Sequence, residues 1–166
     1  MIHLSKRDSS EESMYDSSKD TQEHIDNVIK LMNMIAGDLM ERGKGHDKSK
    51  LEEHEKPYFD ESTPKLKNLQ YGTDEYKKSL DSIKPALEHH YKENRHHPEF
   101  FQNGVEGMDL IDLTEMVCDW VSAAKRMKDG DPIKALETSA KRFKISDQLK
   151  SIILNTIKMI QKREND

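Results

Sequence analysis

Apolar residues in this chain recur at three- and four-residue spacing in one stretch after another, and no segment alternates with period two. That pattern buries a stripe along a helix and leaves no face for a strand, so the expected fold is all-α. Ile25, Val28, Ile29, Met32, Ile35, Ala36 and Leu39 form the first stripe, in a helix expected over residues 21–42. Asp20 or Thr21 can cap it, with Glu23 three residues after Asp20 as in a capping box. Gly43 and Gly45, on either side of Lys44, are expected to stop it. A second helix is expected from about Asp47 to Phe59, then a loop over 60–72 with Pro64 and Gly72. A third should start near Thr73 and be kinked by Pro85 ahead of His89. Residues 94–111, with Pro98, Gly104 and Gly107, read as a long loop, of the kind that often carries function. The fourth helix is expected to open at Asp112, with Glu115 three residues on, and to run through Met116, Val117, Trp120, Val121, Ala124 and Met127. Asp131-Pro132 marks the start of a fifth helix and Ser146 of a sixth, whose stripe is Leu149, Ile152, Ile153, Ile157 and Ile160.

Composition bounds the function. A chain of 166 residues makes one domain, here expected over 20–163, behind a flexible Ser-rich and charged arm over 1–19. Only 33% of residues are apolar and 36% are charged, so a core forms only if the apolar residues segregate by face. The single cysteine, Cys118, excludes an internal disulfide and a cysteine-rich zinc site. There is no run resembling a signal peptide or a membrane span, which makes a cytoplasmic location the expectation. A net charge of −5 argues against broad nucleic-acid binding but leaves room for a small anion held by local cations. The apolar stripe of the last helix can pack internally or against a second copy, so a homodimer stays open.

The chemistry concentrates in histidine and aspartate. His24 lies on the stripe of the first helix, His46 and Asp47 are adjacent at the expected helix-to-helix turn, and Asp119 borders the stripe of the fourth helix. Two imidazoles and two carboxylates suit one divalent cation with positions left for water or substrate. The mixed donors favour Mn, Fe, Co, Ni or Zn over Mg. Such an ion lowers the pKa of its water and polarises a phosphoryl oxygen, so the expected activity is metal-dependent hydrolysis. His89-His90 and His96-His97 can act as further ligands, phosphate contacts or loop residues; His54 falls on an exposed side. Lys92, Arg95, Lys125 and Arg126, with His96 and His97, are candidates for phosphate binding, while Glu115 or His90 can serve as proton donor. Trp120 and Cys118 read as packing residues.

His24, then His46-Asp47 followed by Lys50 in HDKSK, then Asp119 in EMVCDWVSA, resembles the HD superfamily of metal-dependent phosphohydrolases over roughly residues 21–128. The runs HDKSKLEEHE, LEHHYKENRHHPEFF and LTEMVCDWVSAAKR are also similar to a small HD-like group of phages and bacteria, a match that brings no reaction with it. The resemblance implies a helical bundle of about six helices, with His24, His46, Asp47 and Asp119 as ligands and Lys50 directed at a substrate phosphate. His89-His90 resembles the histidine pair of two-metal members. The chain lacks their DGxGYP signature and has no histidine in 60–85, so one ion is the primary expectation and two the alternative. The implied substrate is a nucleotide or related phosphoester. Two other classes fit the same residues: a di-iron oxygenase, which needs six protein ligands, and a non-catalytic protein that binds metal or nucleotide.

Overall fold

The computed structural model describes residues 15–69, 73–127 and 130–166; most of the N-terminal arm expected from sequence lies outside them. Among the described residues there are seven α-helices and no strand: α1 (Ser18–Gly45), α2 (Lys56–Leu66), α3 (Asp74–Asp81), α4 (Lys84–Glu93), α5 (Leu110–Arg126), α6 (Pro132–Arg142) and α7 (Asp147–Asn165). Short 3₁₀ turns occupy Lys48–Leu51, Pro98–Phe100 and Gly104–Gly107. The all-α expectation holds. No described helix is long and apolar enough to cross a membrane.

Several boundaries differ from the sequence reading, each for a local reason. Helix α1 runs through Gly43 to Gly45, because glycine weakens a helix without forbidding it. The second helix is split into a 3₁₀ turn and α2, which continues past Pro64 to Leu66. Pro85 starts a helix instead of kinking one: it sits in the first turn of α4, where its missing N–H costs nothing. Helix α5 opens one turn earlier than expected. Asp109 is its cap, accepting from the amides of Ile111 and Asp112, and the Asp112 carboxylate accepts from the Asp109 amide to close the box. Glu115 is thereby released from any capping role. The expected caps Asp131 and Ser146 are in place, each accepting backbone N–H groups of its helix.

The chain divides into two compact units, Met1–Ala36 and Gly37–Asp166. The described part of the first is the N-terminal stretch of α1, on which Ile25, Val28, Ile29, Met32 and Ile35 are all exposed. Among the described residues, this part of the stripe that the spacing reads as inward-facing is uncovered; periodicity specifies an apolar face but not what packs on it. In the second unit, α5 packs on α6 and α7. Their core is Met116, Val117, Val121, Leu136, Ala140, Ile145, Ile153 and Ile157, flanked by Trp120 and Phe143. On another side of this unit α4 contacts the Lys48–Leu51 turn and the Pro98–Phe100 turn. That layer brings the histidine-rich segments towards the polar face of α5.

Candidate metal centre

His46 and Asp47 follow directly on the last turn of α1, where Asp47 takes a left-handed backbone conformation at φ 58°. Aspartate tolerates that region better than most residues, and such turns are common at functional sites. The turn lets two adjacent side chains point inward, which a continuous helix forbids. His90 comes from the last turn of α4, His96 and His97 from the segment leading into the Pro98–Phe100 turn, and Asp119 from the middle of α5. These residues form two overlapping groups: Asp47, His90, His96 and His97 in one, and His46, His96 and Asp119 in the other, with the potential ligand atoms of each group within 4.8 Å of one another.

The first group has an unusual property for a protein interior. Asp47 Oδ1 and the Nε2 atoms of His90, His96 and His97 are buried, and none has a hydrogen-bond partner. His90 Nε2 and Asp47 Oδ1 are 3.1 Å apart, and His96 Nε2 is 3.5 Å from the same oxygen. Buried polar atoms are almost always paired. Lone-pair donors left unpaired around one point are what a cation requires.

The opposite edges of the rings are held by carboxylates. His90 Nδ1 donates to Glu55 Oε2 at 2.9 Å, and Glu55 is fully buried. Ser49 Oγ donates to the same oxygen at 3.0 Å, and Asn94 Nδ2 donates to Ser49 Oγ at 2.8 Å. Glu55 Oε1 accepts from His89 Nδ1 at 2.7 Å. Glu115 Oε1 accepts from His46 Nδ1 at 2.9 Å and lies 3.1 Å from His96 Nδ1. With Nδ1 held by these carboxylates, the Nε2 atoms of His90 and His96 present lone pairs; this arrangement of carboxylate, imidazole and ligand position sets tautomer and orientation in metal sites.

Charge follows geometry. Burial pushes the Asp47 carboxyl up, but the Lys50 ammonium and the charge on His46 act against it, and the group is held well below the ordinary range. Glu115 is likewise held low, as its contacts with His46 and His96 overcome burial. His46 is raised from 6.5 to about 10, chiefly by Asp119 and then Glu115; its Nε2 is 3.5 Å from Asp119 Oδ1 and 3.6 Å from Asp47 Oδ2. Burial, reinforced by His96 and His90, pushes His97 down to about 2, leaving a neutral ring. A donor set of two carboxylates with several imidazoles fits a divalent transition metal better than magnesium, whose sites are oxygen-rich.

The chain belongs to a family of unknown function. Its family model, DUF5662, matches residues 13–159. No curated protein and no solved structure matches.

Of the residues selected from sequence, the structure brings together His46, Asp47, Asp119, His90, His96 and His97. His96 and His97, read as substrate contacts, stand among the potential ligands. His24 is an exposed side chain of the first unit and is in neither group. His89 is one step removed, against Glu55 and with its ring tilted towards that of His54 at 5.4 Å between ring centres. Lys50 is beside the centre, with Nζ 2.6 Å from Asp47 Oδ2 and over the Phe59 ring. Arg95 is occupied elsewhere: Nε and Nη2 donate to Asp112 at 3.1 and 2.8 Å, and the guanidinium lies over Phe100 and Phe101. Lys92 and Arg126 are exposed and make no hydrogen bond or ion pair among the described residues. Lys125 pairs with Glu164 on the surface. Glu55 and Arg42 were missed by sequence reasoning. Glu55 sits in the charged run LEEHEK, and Arg42 in the last turn of a helix where basic residues are ordinary; nothing in either pattern distinguishes a buried partner from a solvated one.

Proposed function

We propose that this chain is a metal-dependent phosphohydrolase acting on a nucleotide or related phosphoester. One observation carries the reading: Asp47 Oδ1 and the Nε2 atoms of His90, His96 and His97 are buried, unpaired and convergent. These four residues would hold a divalent transition metal. Such an ion, when bound, polarises a phosphoryl oxygen and makes water a nucleophile near neutral pH. The chain's own residues do the rest. Glu55 and Glu115 orient the rings. Lys50, partly exposed beside Asp47, offsets negative charge on the phosphate. His46, with Nδ1 held by Glu115 and Nε2 facing Asp119, is placed to give a proton from Nε2 to the leaving oxygen. The resemblance to the HD superfamily at HDKSK and Asp119 agrees with this chemistry. Cytoplasmic residence and a second copy as partner belong to the same reading.

Elemental analysis of purified protein, with a phosphate-release screen over nucleotides and cyclic nucleotides in Mn or Co, tests it. The expected result is a stoichiometric transition metal and turnover, both lost when His46 and Asp47 are replaced by alanine. Folded protein that takes up no metal and releases no phosphate overturns the reading.

A second reading has support of its own. Together the two groups supply six side chains, His46, Asp47, His90, His96, His97 and Asp119, the number a di-iron oxygenase needs. Anaerobic loading that binds two irons and yields a mixed-valent signal favours it; uptake of a single ion removes it.

A further inference from the structure

We propose that Arg42 is a positioning residue for the metal centre, acting through Glu115 on the imidazoles of His46 and His96. The inference rests on the reading above, in which His96 helps to hold a cation and His46 stands beside it as proton donor.

Both oxygens of Glu115 are engaged. Oε1 faces His46 Nδ1 and His96 Nδ1 at 2.9 and 3.1 Å. Oε2 makes no aligned hydrogen bond, yet Arg42 Nη2 lies 2.6 Å away as an ion pair. Glu115 is 9% exposed, so water cannot replace that guanidinium easily. Arg42 is itself fixed at its other nitrogen: Nη1 donates to Asp112 Oδ1 at 2.9 Å. Asp112, fully buried, is held in turn by the paired donors of Arg95 and by the Asp109 amide. The result is a chain from Arg95 through Asp112, Arg42 and Glu115 to two rings whose Nε2 atoms face the centre.

The guanidinium is specific to this task. A planar fork reaches two carboxylates on successive turns of α5 at once, whereas an ammonium is a single point charge. Without Arg42, Glu115 keeps its two imidazoles but loses what fixes its plane. The rings are then held less firmly, by Asp119 and Asp47 at His46 and by neighbouring imidazoles at His96.

The test compares wild type, Arg42→Met, Arg42→Lys, Glu115→Gln and the Arg42→Met/Glu115→Gln double variant. Two readouts are needed: Co²⁺ affinity from its visible absorption, and the imidazole nitrogen and Nδ1–H resonances of ion-free protein. Arg42→Met should weaken Co²⁺ binding by about 10- to 100-fold, the usual effect of disturbing groups behind the ligands. Arg42→Lys should recover part of that loss, and the change should cost little more in the Glu115→Gln background. The Nδ1–H resonances of both His46 and His96 should move in Arg42→Met. Affinity within about twofold of wild type with unmoved resonances overturns the proposal, and so does an equal loss in both Glu115 backgrounds. If Arg42→Met does not fold, Arg42→Lys decides: wild-type affinity and resonances overturn the proposal. If wild type itself takes up no Co²⁺, the metal reading fails, and the ion-free resonances alone decide whether Arg42 positions the rings.

Discussion

On one face of α5, Met116, Val117 and Val121 are buried against α6 and α7; on another, Asp112, Glu115 and Asp119 meet arginine and histidine. The apolar face belongs to a core in which every neighbour wants the same thing, removal from water. The acidic face belongs to a centre that is satisfied on its outer side and unsatisfied on its inner side, where Asp47 Oδ1 and three Nε2 atoms have no partner. Folding alone explains the first arrangement. The second costs stability, and the cation proposed for it would complete it. One helix thus carries both a region optimised for holding the chain together and a region held open at the chain's expense.

The largest expected effect breaks the core and leaves the centre alone. Leu136 is completely buried, so Leu136→Ala should lower unfolding free energy by about 2–5 kcal/mol, measured by denaturant titration. The variant that remains folded should bind Co²⁺ within about twofold of wild type, because distant sites act independently. A large loss of affinity would show that the two faces of α5 are one mechanical unit.

The reverse substitution comes next. His97→Leu removes a buried, unpaired Nε2. Metal affinity should fall by more than about 100-fold, since even changes behind the ligands cost 10- to 100-fold. Ion-free stability should rise by about 1 kcal/mol, because an unsatisfied buried group has been deleted. Opposite signs on the two measurements are the signature of a site kept open for a ligand. A fall in both would mean that the histidines are structural.

The centre should also shape stability against pH in a way the core cannot. Asp119 and Glu115 hold His46 at about 10 against an ordinary 6.5, so the folded chain binds that proton more tightly than the unfolded chain. Its contribution is whole below pH 6.5 and is lost as pH rises through 10. Burial holds His97 at about 2, so the unfolded chain takes up that proton first; its contribution is whole above pH 6.5 and declines as pH falls towards 2. Ion-free stability should therefore peak near pH 6.5, the ordinary value common to both groups. His97→Leu should flatten the acid flank and His46→Leu the alkaline one. A residual acid slope should persist below the ordinary 3.8 of Asp112, which hydrogen bonds from Arg95, the Asp109 amide and Arg42 hold low against the opposing effect of burial. Thermal melts across pH on the three proteins check all of this.

These contrasts bear on what a linear sequence discloses. The core was legible because helix packing repeats: Met116, Val117 and Val121, or Ile153 and Ile157, announce their burial by spacing. The caps at Asp131 and Ser146 were legible because the cap and its helix are neighbours in the chain. His46, Asp47 and Asp119 could be selected as reactive types, and they do converge. The set with unpaired atoms was harder, because it depends on where the 94–108 segment folds back, and nothing periodic controls that. Glu55 and Arg42 carry no local mark at all. Their roles come from meeting a histidine or an aspartate 35 and 70 residues away. In the first stripe of α1 the failure runs the other way, since its spacing is ideal and its apolar side chains are exposed.

The smallest effect should come from the residue where the two faces of α5 begin. Asp109 accepts the amides of Ile111 and Asp112, while its own N–H donates to the Asp112 carboxylate at 3.2 Å. Asp109→Ala deletes the cap but keeps that backbone donor, so it should cost about 1 kcal/mol in unfolding free energy. Asp109→Asn, also a good cap, should recover most of it. Because Asp112 retains Arg42 and Arg95, the change should reach the centre only weakly, with Co²⁺ affinity altered by less than about twofold. If Asp109→Ala instead weakens metal binding as much as the Arg42 variant, the position of α5 along its own axis, and not the forked guanidinium, would be what sets the rings.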